Sequence, residues 1–307
     1  MTDLRVVVAG IQFQNPIILA SGTAAFGRSL DGVVNLDALG GIVTKAVSLE
    51  PRAGNTSPRV AEFAGGMLNA IGLANPGVDA VLREELPWLE QHVKLARVIV
   101  NVVGSRTEDF AEVVRRLDSS AIISAFELNV SCPNVRAGGI EFCSDSASLA
   151  TVVSGARAAT RRPIFVKLSP VLPNIGETAK TAADSGADGI TVVNTIPGLV
   201  VDIESRKPRV GFGTGGTSGP GLLPVAVLAT HLVRSAVSLP IIGVGGVASA
   251  TDALQFLIAG ASLVGVGTAN LRDPRAAERI ARDLDRWCNS HGVAAIQNLI
   301  GTLEWPS

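Results

Sequence analysis

Residues 240–268 read PIIGVGGVASATDALQFLIAGASLVGVGT, and the fold turns on this stretch. Pro240–Val244 is apolar without alternation, then stops at Gly245–Gly246. Ser249 stands three residues before Asp252, a pairing that opens helices because each side chain can satisfy a free backbone N–H of the other. The apolar stretch Ala253–Ala259 carries the helix and Gly260 ends it. Ser262–Gly267 repeats the first pattern and closes on Thr268. A strand without polar alternation is buried on both faces, as in a parallel sheet covered by helices.

Working outward, the same run recurs at Pro16–Ala20, Gly41–Lys45, Arg97–Val102, Ala125–Val130, Pro163–Leu168 and Gly189–Asn194. With the two strands above, that makes the eight needed to close a (β/α)8 (TIM) barrel. Asp109–Leu117, Ala147–Ala159, Asn174–Ser185, Leu222–Val237 and Pro274–Cys288 have helical period between them. A doubly wound sheet would gather its ligand residues at one switch point. Here the suggestive residues end nearly every strand, so the expectation is a single α/β barrel domain over residues 1–307. Arg5–Val8 and Ile11–Phe13 around Gly10 read as an N-terminal β-hairpin plugging the opposite end. Two long stretches interrupt the alternation, Ser48–Trp88 and Thr195–Pro220, and long loops at one end of a barrel usually cover its site. Val200–Ile203 and Arg209–Gly211 could pair within the second.

Composition narrows the function. Hydrophobic residues make up 47% of the chain, so a large core is available. The net charge of -1, the 4% of aromatics and the absence of Tyr argue against nucleic acid, which needs basic grooves and stacking platforms. Met1–Phe13 lacks an uninterrupted apolar signal core, and no apolar run reaches the ~18 residues of a membrane span, so a soluble cytoplasmic protein is expected. Three cysteines (Cys132, Cys143, Cys288) are fewer than the about four ligands of an iron–sulfur cluster. The histidines (His92, His231, His291) are scattered without metal-ligand spacing, so no metal site is expected.

Polar residues at the C-terminal ends of barrel strands face a ligand rather than the core. In order these ends carry Ser21–Gly22, Lys45, Asn101, Asn129 with Cys132 and Asn134, Lys167, Asn194–Thr195, Gly245–Gly246 and Gly267–Thr268. Any one could simply begin a loop; two lysines and three asparagines closing apolar strands do so less readily. The paired glycine turns after strands seven and eight stand where barrels bind phosphate through backbone N–H groups. Gly211–Gly216 matches the dinucleotide pattern G-x-G-x-x-G but follows a charged, proline-broken stretch and opens no helix, so it reads as a mobile glycine loop. Cys143 and Cys288 read as small buried hydrophobes. Cys132, between polar residues and Pro133, is expected outside any regular element, where a part-ionised thiol could act as a base.

Met67–Gly77 (MLNAIGLANPG), Glu127–Asn134 (ELNVSCPN) and Val166–Pro170 (VKLSP) are the most specific stretches of a likeness running from Pro16 to about Pro274. On these residues the chain resembles class 1 dihydroorotate dehydrogenases, most closely the catalytic subunit of the NAD-linked class 1B enzymes. Class 2 enzymes carry serine where Cys132 stands, and an extended N-terminal membrane-associating segment. The resemblance implies FMN-dependent oxidation of dihydroorotate to orotate in de novo pyrimidine (UMP) biosynthesis. Cys132 is then the base for the C5 proton, FMN N5 accepts the C6 hydride, and the Cys132 loop is a lid that excludes water. It implies FMN contacts from Ser21, Lys45, Ala46, Asn101, Asn129, Lys167, Val193, Gly219, Gly245, Gly246, Gly267 and Thr268, with Lys45 also catalytic. Substrate contacts would come from Lys45, Asn69, Ala70, Ile71, Gly72, Leu73, Asn129, Asn134, Asn194 and Thr195. Electrons would pass to NAD through a partner subunit carrying FAD and a 2Fe–2S cluster, in an α2β2 assembly around a homodimer. A class 1A enzyme reducing fumarate directly is the alternative; a Schiff-base lyase using Lys45 or Lys167, or a catalytically silent barrel, is further off.

Overall fold

The structure, a computed structural model, describes residues 2–131 and 142–306. The chain opens with the antiparallel hairpin β1 (Val6–Val8) and β2 (Ile11–Phe13), joined at Ala9–Gly10. It lies at the N-terminal end of the barrel, where Arg97 Nε donates to Gln12 O (2.8 Å) at the start of a strand. Phe13 is fully buried there.

β3 (Ile17–Leu19) and β4 (Gly41–Val43) begin the barrel, and β5 (Val60–Phe63) and β6 (Gly66–Asn69) belong to the first insertion. The barrel resumes with β7 (Arg97–Val102), β8 (Ile123–Asn129), β9 (Ile164–Leu168) and β10 (Gly189–Val192). The second insertion contributes β11 (Ile196–Gly198), β12 (Val201–Asp202), β13 (Lys207–Pro208) and β14 (Gly215–Ser218). β15 (Ile241–Val244) and β16 (Leu263–Val266) complete the circuit. The closed parallel order β3-β4-β7-β8-β9-β10-β15-β16 joins back to β3, as the eight apolar runs predict. Ile17, Ile18, Leu19, Ile42, Val98, Phe126, Val166 and Ile190 are wholly buried, which is why these strands show no alternation.

The helices are α1 (Val78–Ala80) and α2 (Leu86–His92), linked by a π turn at Val81–Glu85, then α3 (Thr107–Leu117), α4 (Ser146–Ala159), α5 (Ile175–Asp184), α6 (Leu223–Ala236), α7 (Ala250–Ala259), α8 (Thr268–Arg272) and α9 (Ala276–Ser290). On α9, Ala277, Ile280, Ala281, Leu284 and Cys288 recur at helical spacing and are buried, while Arg279, Arg282 and Arg286 stay outside. The Ser249–Asp252 capping box opens α7, and Gly260 ends it in the left-handed conformation (φ 117°). A cap of this kind stabilises a helix by about 1 kcal/mol.

Three departures from the sequence reading concern the insertions. The stretch Ser48–Trp88 is not loop throughout. It holds β5, β6 and the helical run from Val78, whose buried Val78, Val81, Leu86 and Leu89 have helical spacing. Pro87, lacking an N–H, broke the pattern, and the π turn just before it takes up the altered bonding. Gly211–Gly216 is not a mobile loop at its far end, because Gly215 and Gly216 are buried in β14 between β11 and β6. The reason is close approach: a Cβ on Gly216 would lie 2.0 Å from Thr195 Oγ1. The small hairpin pairs Val201 with Pro208 and Asp202 with Lys207, earlier along its second arm than Arg209–Gly211.

The four-stranded antiparallel sheet β11-β14-β6-β5 thus joins the two insertions, beyond the C-terminal ends of β4 and β10 from which they spring. The candidate site lies between this sheet and the C-terminal ends of the barrel strands.

Candidate active site

Barrel strand ends deliver the candidate side chains as the alternation requires. Lys167 in β9 and Ser21 after β3 stand four strands apart in an eight-stranded ring, so they face each other across it. Lys167 Nζ spans that width and donates to Ser21 Oγ (3.0 Å). It also lies 3.6 Å from Glu127 Oε1 on β8, an ion pair with side chains only 6% and 1% exposed. Asn101 on β7, paired in register with Glu127, donates from Nδ2 to the same carboxylate oxygen (2.6 Å). Its other amide atom, Oδ1, is buried and has no hydrogen-bond partner among the described residues. Four strands therefore converge on one buried polar cluster containing a cation, an anion and an unused acceptor.

A second cluster sits beside it. Asn194, just past β10, donates from Nδ2 to Asn129 Oδ1 (3.1 Å), Ser131 O (3.0 Å) and Ser131 Oγ (3.0 Å). Its Oδ1 accepts from Thr195 N (2.8 Å), so the side chain is fixed at both ends. Ser131 is fully buried, and this anchors the chain immediately before position 132. Cys132 and Asn134 themselves lie outside the described residues.

The insertion sheet supplies the third group. Asn69 at the end of β6 donates to Gly216 O (3.1 Å), the residue against which Thr195 packs. Beyond it, Ala70 and Ile71 are held by Asn55, whose Nδ2 donates to Ala70 O (3.1 Å) and whose N donates to Ile71 O (3.1 Å). Gly72 and Leu73 both adopt positive φ (70° and 56°), and for leucine that conformation is strained. Lys45, half-buried after β4, is joined to the Lys167 cluster by no hydrogen bond or ion pair among the described residues. Its ammonium is held below the ordinary lysine value, first by burial and then by the positive charge of Arg59. Ala46 beside it is buried.

The glycine turns close the ring. Val193 N donates to Val244 O (2.9 Å), drawing the end of β10 against that of β15. Gly245 and Gly246 follow with φ of 138° and 78°. At Gly246 a side chain is excluded twice, because a Cβ would also lie 2.5 Å from Leu223 N. Gly267 and Thr268 open α8, and Thr268 Oγ1 donates to Ser218 Oγ (2.8 Å), next to Gly219.

Glu127, Ser131, Ser218 and Arg59 carry contacts in these clusters that the sequence reading left without roles. Glu127 did leave a signal, as the one charged residue inside the run Ala125–Val130. Elsewhere the expectations stand: Cys143 and Cys288 are buried, and burial, then Asp285, pushes the Cys288 thiol up. Each histidine stacks on a tryptophan, His92 on Trp88, His231 on Trp305 and His291 on Trp287. No helix among the described residues is long and apolar enough to cross a membrane.

Comparison with known proteins gives a consistent answer. The family model described as dihydroorotate dehydrogenase matches residues 3–287. A protein of Pelobacter propionicus named dihydroorotate dehydrogenase B (NAD(+)), catalytic subunit, is 46% identical over 302 residues, covering 98% of this chain and 99% of its own. The protein of the same name from Geobacter sulfurreducens is 45% identical over 302 residues, covering 98% of each chain. Among solved structures, a DHODH from Eimeria tenella in complex with ferulenol superposes with a TM-score of 0.82 over 99% of this chain and 89% of that one; at 24% identity it speaks for the fold. With a family model spanning nearly the whole barrel and full-length relatives above 40% identity, the chain belongs to the dihydroorotate dehydrogenase family.

Proposed function

We propose that residues 1–307 form one FMN-binding domain, the catalytic subunit of an NAD-linked dihydroorotate dehydrogenase that oxidises dihydroorotate to orotate in pyrimidine biosynthesis. The observation that carries this reading is the buried cluster Lys167–Glu127–Asn101–Ser21 across the barrel mouth. A core would not need it.

The residues fit the cofactor. Asn101 Oδ1 is a buried acceptor without a donor among the described residues, and buried polar atoms are almost always paired when a site is filled. Gly245 and Gly246 allow close backbone approach to phosphoryl oxygens. Lys45, Asn101 and Lys167 would hold the ring, Gly219, Gly245, Gly246, Gly267 and Thr268 the phosphate, with Ser21, Ala46, Asn129 and Val193 framing it. When bound, FMN supplies a two-electron acceptor for the hydride leaving C6 of dihydroorotate. The ammonium of Lys167 stabilises negative charge developing on the ring side of the site, the usual work of a fixed cation in a water-poor pocket.

Substrate recognition falls to amides, which offer a donor and an acceptor at fixed spacing. Asn69, Asn129, Asn134 and Asn194, with Thr195 and the backbone from Ala70 to Leu73, suit a flat ring with amide edges and a carboxylate. Asn194 orients Asn129 and anchors Ser131. Cys132 takes the C5 proton as general base, and Lys45 assists from the ring side.

Electrons then leave to a partner subunit carrying FAD and a 2Fe–2S cluster, for which an α2β2 assembly around a homodimer is the simplest arrangement. The chain's three cysteines fall short of the about four such a cluster needs. A working thiol with Cys143 and Cys288 buried in the core suits the reducing cytoplasm. The test is anaerobic: the purified chain should be yellow and bleach with dihydroorotate, and should reduce NAD only when the partner is added. Fumarate reduction by the chain alone at comparable rate would refute the NAD-linked assignment, and a colourless protein that binds no FMN would refute the whole reading.

A further inference from the structure

We infer that Glu127 is a positioning residue for the cofactor, which orients Lys167 and Asn101 and partly offsets the Lys167 charge under the flavin ring; the inference rests on the FMN reading above. Glu127 is 1% exposed and is the one charged residue of its strand, between the wholly buried Phe126 and Leu128. A carboxylate there is stable only when paired, and Lys167 Nζ at 3.6 Å and Asn101 Nδ2 at 2.6 Å pair it from the two neighbouring strands.

The consequences differ for the two partners. An ionised carboxylate only accepts hydrogen bonds, so Asn101 must turn its NH2 toward Glu127 and its Oδ1 the other way. That Oδ1 is the buried acceptor left without a partner among the described residues. Glu127 thereby decides that Asn101 presents an acceptor, suited to an N–H group of the ring, rather than a donor. Lys167 divides its ammonium between Glu127 and Ser21, which keeps the long side chain extended across the barrel. Its charge is partly offset by the carboxylate, so a ligand above it meets a weaker positive field than a bare cation would set up.

Charge and position are separable by experiment. Glu127→Gln has nearly the same shape but removes the negative charge, leaving Lys167 uncompensated. Reduced flavin is the more anionic form, so it should gain binding over the oxidised form by at least about tenfold, an upward shift of about 30 mV in the two-electron midpoint potential. Glu127→Asp keeps the charge and shortens the reach, so the potential should hold while the FMN dissociation constant rises by about tenfold or more. Potentials come from anaerobic dye equilibration and affinities from titration of the apoprotein, neither requiring turnover. An unmoved or lowered potential in Glu127→Gln overturns the inference, as does wild-type FMN affinity in Glu127→Asp; the aspartate variant alone decides if the glutamine variant does not fold. Wild-type chain that takes up no FMN overturns the cofactor reading, and this inference with it; wild-type chain that binds FMN while the variants match it overturns only the role of Glu127.

Discussion

Gly246→Ala separates what the turn after β15 does for the fold from what it does for a ligand. Gly246 has φ 78°, and an added Cβ would lie 2.5 Å from Leu223 N and 2.7 Å from Leu223 Cα. The left-handed conformation costs alanine about 1–2 kcal/mol. The clash is with backbone rather than a flexible side-chain end, and overpacking of that kind adds about 1–3 kcal/mol. The sum is about 2–5 kcal/mol. Unfolding entropy of about 2.1 cal/mol/K per residue makes roughly 0.6 kcal/mol/K for this 307-residue chain, so Tm should fall by about 3–8 °C. Gly213→Ala is the control: φ is 99°, but nothing lies within 4 Å of its Cβ, so only the strain remains and Tm should fall by about 2–3 °C. FMN at 100 times its dissociation constant stabilises by about 2.7 kcal/mol, or about 4 °C here. Circular-dichroism melts with and without FMN should show that increment in wild type and Gly213→Ala, and its loss in Gly246→Ala. If the two variants melt together, the steric argument is wrong. If Gly246→Ala melts low yet retains the full increment, the phosphate is bound elsewhere.

Three further outcomes are expected. Cys132→Ser should retain FMN but lose about 10²- to 10⁴-fold in turnover at pH 7, the usual contribution of a general base, and unchanged turnover refutes the role. Asn194→Ala leaves Asn129 and Ser131 without their shared donor; at about 1–3 kcal/mol for unsatisfied buried groups, kcat/KM should drop about 5- to 150-fold, and a loss below twofold would show the amide to be incidental. Lys45 is held below its ordinary value of 10.5, so between its folded value and 10.5 the unfolded chain binds more protons and stability rises with pH. Lys45→Met removes that penalty: its denaturant midpoint should exceed wild type at pH 7 and converge with it near pH 10.5, and a lower midpoint at pH 7 refutes the burial argument.

The barrel was legible because its strands answer to one local rule. Each is buried on both faces, and the observed bounds Gly41–Val43, Ile164–Leu168 and Leu263–Val266 sit within runs read from hydropathy alone. Helix ends were legible where a cap marks them, as Ser249 and Gly260 do for α7 and Asn174 does for α5. The insertion sheet was not. β6 and β14 pair across 147 residues, joined by Asn69 Nδ2 and Gly216 O, and no local pattern announces so distant a partner. β14 is moreover Gly-Gly-Thr-Ser, a sequence with little intrinsic preference for strand, and it forms one because the glycines let Thr195 and Asn69 approach. At the site, the polar strand ends were visible but their mutual bonds were not: a run such as AFELNV shows that Glu127 is out of place, and only the register with Asn101 and the reach of Lys167 show why.

That misplaced charge bears on what the barrel is for. Burying a carboxylate and an ammonium removes each from water at several kcal/mol, and their attraction returns roughly that much only when geometry is good. An apolar pair of similar volume in the same place would typically be neutral or more stable by about 1–4 kcal/mol. The Lys167–Glu127 pair, at 3.6 Å and 6% and 1% exposed, is therefore poorly explained as a stabilising device. It sits toward the mouth of the barrel, beside an amide oxygen with no partner among the described residues. The same strand faces are apolar one layer further down, two residues back along each strand, with Ile99, Ala125 and Phe165 wholly buried. The fold thus has apolar solutions at hand and departs from them only where a ligand can use the difference, which places the origin of the charge pattern in binding and catalysis rather than in packing.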